Sequence, residues 1–143
     1  MATLASFDSF SRRWSIPATV IGTVLIAVVL NLVVYAIGTI AGASFDFTVD
    51  GTSEHIYALL LTAFTAIPML IGLTLVALLA PRWRQAIPAA LVIAPVLAIA
   101  TIFIMTTPTN FDTASTITLA ITHLVVAVVT VAGILALRSQ TPG

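Results

Sequence analysis

Long apolar segments alternate with short polar segments along the chain, and this pattern occurs four times. The apolar segments cover residues 16–41, 56–80, 86–105 and 114–137. Each reaches the length of about 20 residues that a helix needs to cross the hydrocarbon core of a bilayer. Helices also satisfy their own backbone hydrogen bonds, as any structure in lipid must. The pattern therefore predicts an all-α bundle of four transmembrane helices with antiparallel neighbours, in a single integral membrane domain over residues 1–143.

The composition excludes a soluble fold and several classes of partner. Hydrophobic residues make up 60% of the chain and charged residues 7%, whereas soluble domains have about 25% charged residues. The basic residues are all arginine and form no run long enough to neutralise a nucleic-acid backbone. The chain has no cysteine, which excludes disulfides and cysteine-ligated zinc. We therefore expect the lipid bilayer as a partner and no nucleic acid.

The distribution of charge predicts the orientation in the membrane. Arginines precede the first apolar segment at Arg12 and Arg13, separate the second from the third, and follow the fourth. By the positive-inside rule these parts and both termini face the cytoplasm. The other two connections carry four acidic residues, which predict an acidic rim on the outer side: Asp46, Asp50, Glu54 and Asp112.

The acidic rim has two interpretations. Together with His55 its carboxylates could hold a hard cation on the outer face. The spacing matches no calcium-binding loop, and a solvated rim already satisfies the charge rule for membrane proteins. We therefore expect no metal site.

The first outer connection alternates apolar and polar residues over positions 44–51 and ends in Asp50-Gly51. Asp-Gly is typical of a two-residue hairpin turn. The segment is either a short strand, which could also pair with a partner chain, or an interfacial lid over the bundle, and we favour the lid. Thr52 or Ser53 is the expected N-cap of the second helix.

Polar side chains are rare inside the apolar segments, and three segments carry one at the same depth. At 1.5 Å per residue from the outer ends, Asn31, Thr65 and His123 lie about 13 to 16 Å deep. We hypothesise that Asn31 and His123 meet in the bundle, with Thr65 or Thr62 as a third member. The favoured interpretation is structural, because hydrogen bonds between helices stabilise their association. The alternative is a protonatable histidine in a proton or substrate path.

Small residues predict where the helices approach closely. Gly38 and Gly42 form a Gly-x-x-x-Gly spacing in the first segment. In the fourth segment Ala120 and Ala127 share one helical face with His123. This small and polar stripe, which also contains Thr116 and Thr130, is expected to pack inward.

The chain has no sequence motif of a nucleophilic, metal-dependent or nucleotide-dependent enzyme. We therefore expect no catalysis and no cofactor. The leading hypothesis is a non-enzymatic membrane protein that acts through helix–helix association, as a homo-oligomer or as an accessory subunit of a membrane complex. The alternative is a small channel or carrier for a neutral or weakly polar solute, which uses the polar cluster and kinks at Pro68 and Pro95.

Residues 118–127, with the sequence TLAITHLVVA, are followed by Gly133 and Ile134. This segment resembles the last helix of a family of small bacterial four-helix membrane proteins known only as a domain of unknown function. The chain is similar to that family also in length, in the acidic connection after the first helix and in the arginine-bearing connection after the second. The resemblance supports the four-helix fold and draws attention to His123. Together with the distribution of charge, we expect a multi-pass protein of the bacterial cytoplasmic membrane. The resemblance implies no activity, substrate or cofactor.

Overall fold

The computed structural model describes residues 15–140, so Arg12 and Arg13 lie outside the described residues. Four helices form the fold: α1 (Ile16–Ile40), α2 (Ala58–Leu79), α3 (Ala86–Thr101) and α4 (Thr113–Arg138). A π-helical turn over Ile102–Thr106 extends α3. Each helix, with α3 taken together with its π-helical turn, is long and apolar enough to cross a membrane. The prediction of four apolar helices is confirmed.

The connection between α1 and α2 forms a hairpin of two antiparallel strands, β1 (Asp46–Val49) and β2 (Thr52–His55). Asp50 and Gly51 form its turn with φ angles of 48° and 80°. Positive φ at both positions is the signature of the turn that matches strand twist. The alternation over residues 44–51 therefore encodes a strand and its turn.

Helices α4 and α2 begin in different ways. Asp112 caps α4, since its side chain accepts a hydrogen bond from the backbone N–H of Ser115. The prediction of Thr52 or Ser53 as the cap of α2 was wrong, because both residues lie in β2. Tyr57 occupies the N-cap position of α2 and makes no side-chain capping bond.

The helices are not all equally in contact with one another. Helix α1 packs extensively on both α2 and α4, and α3 packs mainly on α4. Helices α2 and α3 are consecutive in sequence, yet they touch each other sparsely. The order across the bundle is therefore α2, α1, α4, α3, with a gap between the first and the last of these.

Glycines bring α1 and α4 into close contact at two places. A Cβ added to Gly38 would lie 2.5 Å from the Cγ2 atom of Thr118, and one added to Gly133 would lie 2.5 Å from the Cγ2 atom of Thr23. A side chain fits at neither position unless the helices move apart or the facing threonine rotates. Close packing at Gly38 thus occurs within the chain.

Gly42 has a different role from the predicted one. Its φ of 93° is left-handed, and no described atom lies within 4 Å of the Cβ it lacks. The N–H of Ala43 donates to the carbonyl of Gly38 and that of Gly42 to the carbonyl of Thr39. This pair of bonds is the Schellman motif, in which glycine closes a helix. Gly42 therefore ends α1 and does not pack against another described helix.

The buried face of α4 is rotated from the predicted stripe. Ala127 is buried as expected, but Ala120 and His123 are only half-buried. Thr118 and Thr122 are buried in their place. Each donates its hydroxyl to a carbonyl of its own helix, at 2.7 Å. Because each hydroxyl donates to a backbone carbonyl of its own helix, a threonine can lie in the packed face without leaving a hydroxyl unpaired.

Candidate binding groove

The hairpin is fastened to the start of α4 by Asp112. Its carboxylate accepts hydrogen bonds from the backbone N–H of Ser44 at 3.1 Å and from the Ser44 hydroxyl at 2.8 Å. It also accepts from the backbone N–H of Ser115 at 2.9 Å and from the Ser115 hydroxyl. The bonds from Ser115, and then those from Ser44, hold the pKa of this carboxyl far below its ordinary value. Asp112 is therefore an anchor for the hairpin.

Aromatic rings hold the base of the hairpin against α1. Phe45 is 1% exposed and stacks on Tyr35, with ring centroids 4.3 Å apart. The Tyr35 hydroxyl donates to the carbonyl of Ile56 at 3.0 Å, and the Phe45 N–H donates to the Ser115 hydroxyl at 2.8 Å. The hairpin thus covers one end of the bundle, which we call the hairpin end. The opposite end, with Arg82 and Arg138, is the arginine end.

The remaining residues of the predicted acidic rim lie on the hairpin. Asp46 and His55 face each other across the strands, with Oδ1 and Nδ1 2.7 Å apart. Asp50 lies in the turn, and Glu54 is exposed in β2. Within residues 15–140 no three histidine or acidic side chains are grouped as a metal site requires.

A groove with a volume of about 870 Å³ lies between α2 and α3. It extends from Trp83 at the arginine end to Phe47 and Phe111 at the hairpin end. The wall formed by α3 contains alanine at every fourth position: Ala86, Ala90, Ala94 and Ala98. On α2, Gly72 lines the groove, and a Cβ added there would meet no described atom within 4 Å. The alanines of α3, together with the missing side chain at Gly72, therefore leave space between the two helices.

Polar side chains border the groove near the middle of the helices. Asn31 is 2% exposed and donates its Nδ2 hydrogen to Thr65 Oγ1 at 2.9 Å. His123 bonds through Nδ1 to the carbonyl of Leu119 at 2.7 Å. Asn31 Oδ1 and Thr130 Oγ1 are both buried without a hydrogen-bond partner among residues 15–140. The groove is thus apolar along its walls and carries unused hydrogen-bonding capacity at mid-depth.

The structure brings together only part of the predicted cluster. Asn31 and Thr65 are hydrogen-bonded, and both line the groove with His123. The hypothesis of a direct Asn31–His123 contact receives no support, since the histidine bonds to its own helix. Thr62 does not join the cluster, because its hydroxyl donates to the carbonyl of Ala58 at 2.8 Å.

Sequence reasoning missed the groove itself. Its signal was the alanine repeat of α3, which resembles an ordinary small-residue packing face. Most of that face borders an open space because α3 turns toward α4 and away from α2. Ser44 and Ser115 were also missed, since only the folded chain places these serines on the same carboxylate.

Comparison with curated proteins and with solved structures gives no match. A family described as a family of unknown function, DUF6069, matches residues 11–140. The match includes all four helices and the hairpin. The chain therefore belongs to the DUF6069 family of unknown function.

Proposed function

We propose that this protein is a non-enzymatic integral membrane protein that binds a membrane-dissolved, mainly apolar molecule in the groove between α2 and α3. The observation that carries the proposal is the groove, with polar groups at mid-depth between apolar walls. Its volume of about 870 Å³ lies within the range of small-molecule sites, about 300 to 1,000 Å³. Pockets of this kind, apolar with a few polar groups, commonly lie between the helices of bundles.

The proposed setting is a bacterial cytoplasmic membrane with both termini inside and neighbouring helices antiparallel. The contacts of Gly38 with Thr118 and of Thr23 with Gly133 support antiparallel α1 and α4, because the residue numbers rise along one helix as they fall along the other. The arginines at one end and the acidic hairpin at the other support the orientation.

The orientation is tested by cysteine labelling, for which the cysteine-free chain is suited. Ser53→Cys lies on the exposed hairpin and Gln85→Cys in the exposed connection between α2 and α3. An impermeant maleimide should label Ser53→Cys in intact cells and Gln85→Cys only after permeabilisation. The reverse labelling pattern would refute the orientation.

Groove binding is tested through the fluorescence of Trp83, which lines the groove. In a Trp14→Phe background Trp83 is the only tryptophan. We expect (12-bromododecyl)benzene, added to the protein in nanodiscs, to quench Trp83 in a saturable manner. Ala98→Leu narrows the groove and should abolish saturation. Ala36→Leu, the same change at an exposed position of α1 outside the groove lining, should not.

Simple partitioning of the probe into lipid gives a different result. Quenching would then rise without saturation and equally in the three proteins. That result would refute groove binding.

A second candidate is the helix–helix association that the sequence predicts, with a transmembrane helix of another protein or of a second copy in the groove. The length of the groove, from Trp83 to Phe111, favours this candidate. With the photo-crosslinking amino acid p-benzoylphenylalanine at position 98, irradiation of the membranes should then give crosslinks that the same amino acid at position 36 does not give. The molecular mass of the product distinguishes a second copy from an accessory partner.

A further inference from the structure

One ring nitrogen of His123 makes a hydrogen bond within α4, and the other ring nitrogen is available to a ligand. Its Nδ1 lies 2.7 Å from the Leu119 carbonyl, which can only accept, so Nδ1 carries the hydrogen. In the neutral ring Nε2 is then an acceptor. Since Nδ1 is directed to its own helix, Nε2 lies on the far edge of the ring, and the residue lines the groove.

Asn31 supplies a second acceptor on the facing helix. Its Nδ2 is bonded to Thr65, and its Oδ1 has no partner among the described residues. The contacts of Gly38 with Thr118 and of Thr23 with Gly133 place Asn31 level with residue 125. His123 is two residues from that level, about 3 Å along the helix axis. Two acceptors therefore lie at nearly the same depth.

The chemistry of the groove restricts what these acceptors can bind. No aspartate, glutamate, lysine or arginine is among the described residues that line it, so a charged ligand would lack a counter-ion. The depth, near the middle of the helices, also excludes the headgroup of an ordinary phospholipid, which stays at the interface. What remains is an uncharged apolar molecule with a hydrogen-bond donor in its body.

We propose that the groove binds an uncharged apolar molecule bearing a hydroxyl group, and that this hydroxyl donates to Nε2 of His123 with Oδ1 of Asn31 as the alternative acceptor at the same level. A hydroxyl fits because it supplies the donor that both atoms lack. Thr130, whose Oγ1 is also buried without a partner among residues 15–140, adds a third polar group on the same wall. This inference rests on the proposed function and names its ligand class.

The test compares two probes, 4-(12-bromododecyl)phenol and its methyl ether, of which only the phenol has a hydrogen-bond donor. Quenching of Trp83 in the Trp14→Phe protein gives the affinity of each, expressed per mole of lipid so that partitioning cancels. We expect the phenol to bind about 3- to 10-fold more tightly than the ether, the fold-change of one net hydrogen bond.

Variants of the protein then show which side chain accepts the hydrogen bond from the ligand hydroxyl. His123→Phe keeps a ring and removes Nε2, so the preference for the phenol should fall to about 1-fold while the affinity for the ether is retained. Asn31→Leu should reduce the preference to a smaller extent. Thr62→Val is the matched control, because that hydroxyl bonds within α2 and is not among the described groove-lining residues. It should leave both affinities unchanged.

Failure of this inference differs from failure of the proposed function. Equal affinities for phenol and ether in the parent protein, or a preference that persists in both His123→Phe and Asn31→Leu, would overturn the hydroxyl assignment. Saturable binding of the ether would still uphold groove binding. If His123→Phe also loses the ether, the groove is disturbed and Asn31→Leu decides alone. Loss of saturable binding for both probes in the parent protein would refute both proposals.

Discussion

We expect Gly38→Ala to destabilise the protein by separating α1 from α4. The added Cβ would lie 2.5 Å from both Cγ2 and Oγ1 of Thr118, whereas carbon atoms in contact lie about 3.5 to 4.0 Å apart. The helices must therefore part by about 1 Å, or Thr118 must rotate. Rotation would break the 2.7 Å hydrogen bond from its hydroxyl to the Ala114 carbonyl. Overpacking of this kind costs about 1 to 3 kcal/mol.

The measurement is the free energy of unfolding from SDS titration in mixed micelles, with helix content followed by circular dichroism. Gly72→Ala is the control, because its Cβ meets no described atom within 4 Å. It should be neutral or stabilising by up to about 1 kcal/mol. Thr118→Ala in the Gly38→Ala background removes the two closest atoms and should restore part of the lost stability. If Gly38→Ala unfolds like Gly72→Ala, the close α1–α4 contact is refuted.

Three further predictions concern single side chains. The pKa of Asp112 is lower in the folded protein than in the unfolded chain. Its ionised carboxylate therefore stabilises the fold at pH values above the ordinary carboxyl pKa, and this stabilisation decreases as the pH falls below that value. The midpoint temperature of thermal unfolding should fall on acidification, and Asp112→Asn should make the midpoint less dependent on pH. If the variant keeps the same dependence on pH, Asp112 does not anchor the hairpin as proposed. Nitrogen NMR should find the hydrogen of neutral His123 on Nδ1, and Asn31→Ala should leave this tautomer unchanged, since the ring bonds to its own helix; a switch of tautomer would reveal an Asn31–His123 contact. Thr65→Val removes the partner of Asn31 and should cost about 0.6 to 2 kcal/mol in the same SDS titration, whereas an effect no larger than that of Thr62→Val would mean that the bond contributes nothing.

The sequence alone was sufficient for the local features of the fold. Four apolar segments of spanning length predict four helices because a backbone in lipid must satisfy its own hydrogen bonds. The Asp50-Gly51 turn and the Asp112 cap depend on neighbouring residues only, so each is readable from a few positions. The shared depth of Asn31 and Thr65 also follows from counting residues, and the structure joins these two by a hydrogen bond.

Only the tertiary structure decided which faces meet. Rotating α4 about its axis brings Thr118 and Thr122 inward in place of Ala120, although both faces are small and polar. Apolar residues cover nearly every side of each helix, so hydropathy does not distinguish a lipid-facing side from a helix-facing one. For the same reason the sequence could not show that α3 turns to α4 and leaves its alanines along an open groove. That choice depends on shape, because in a membrane helices associate through close packing and hydrogen bonds, with little hydrophobic force between them.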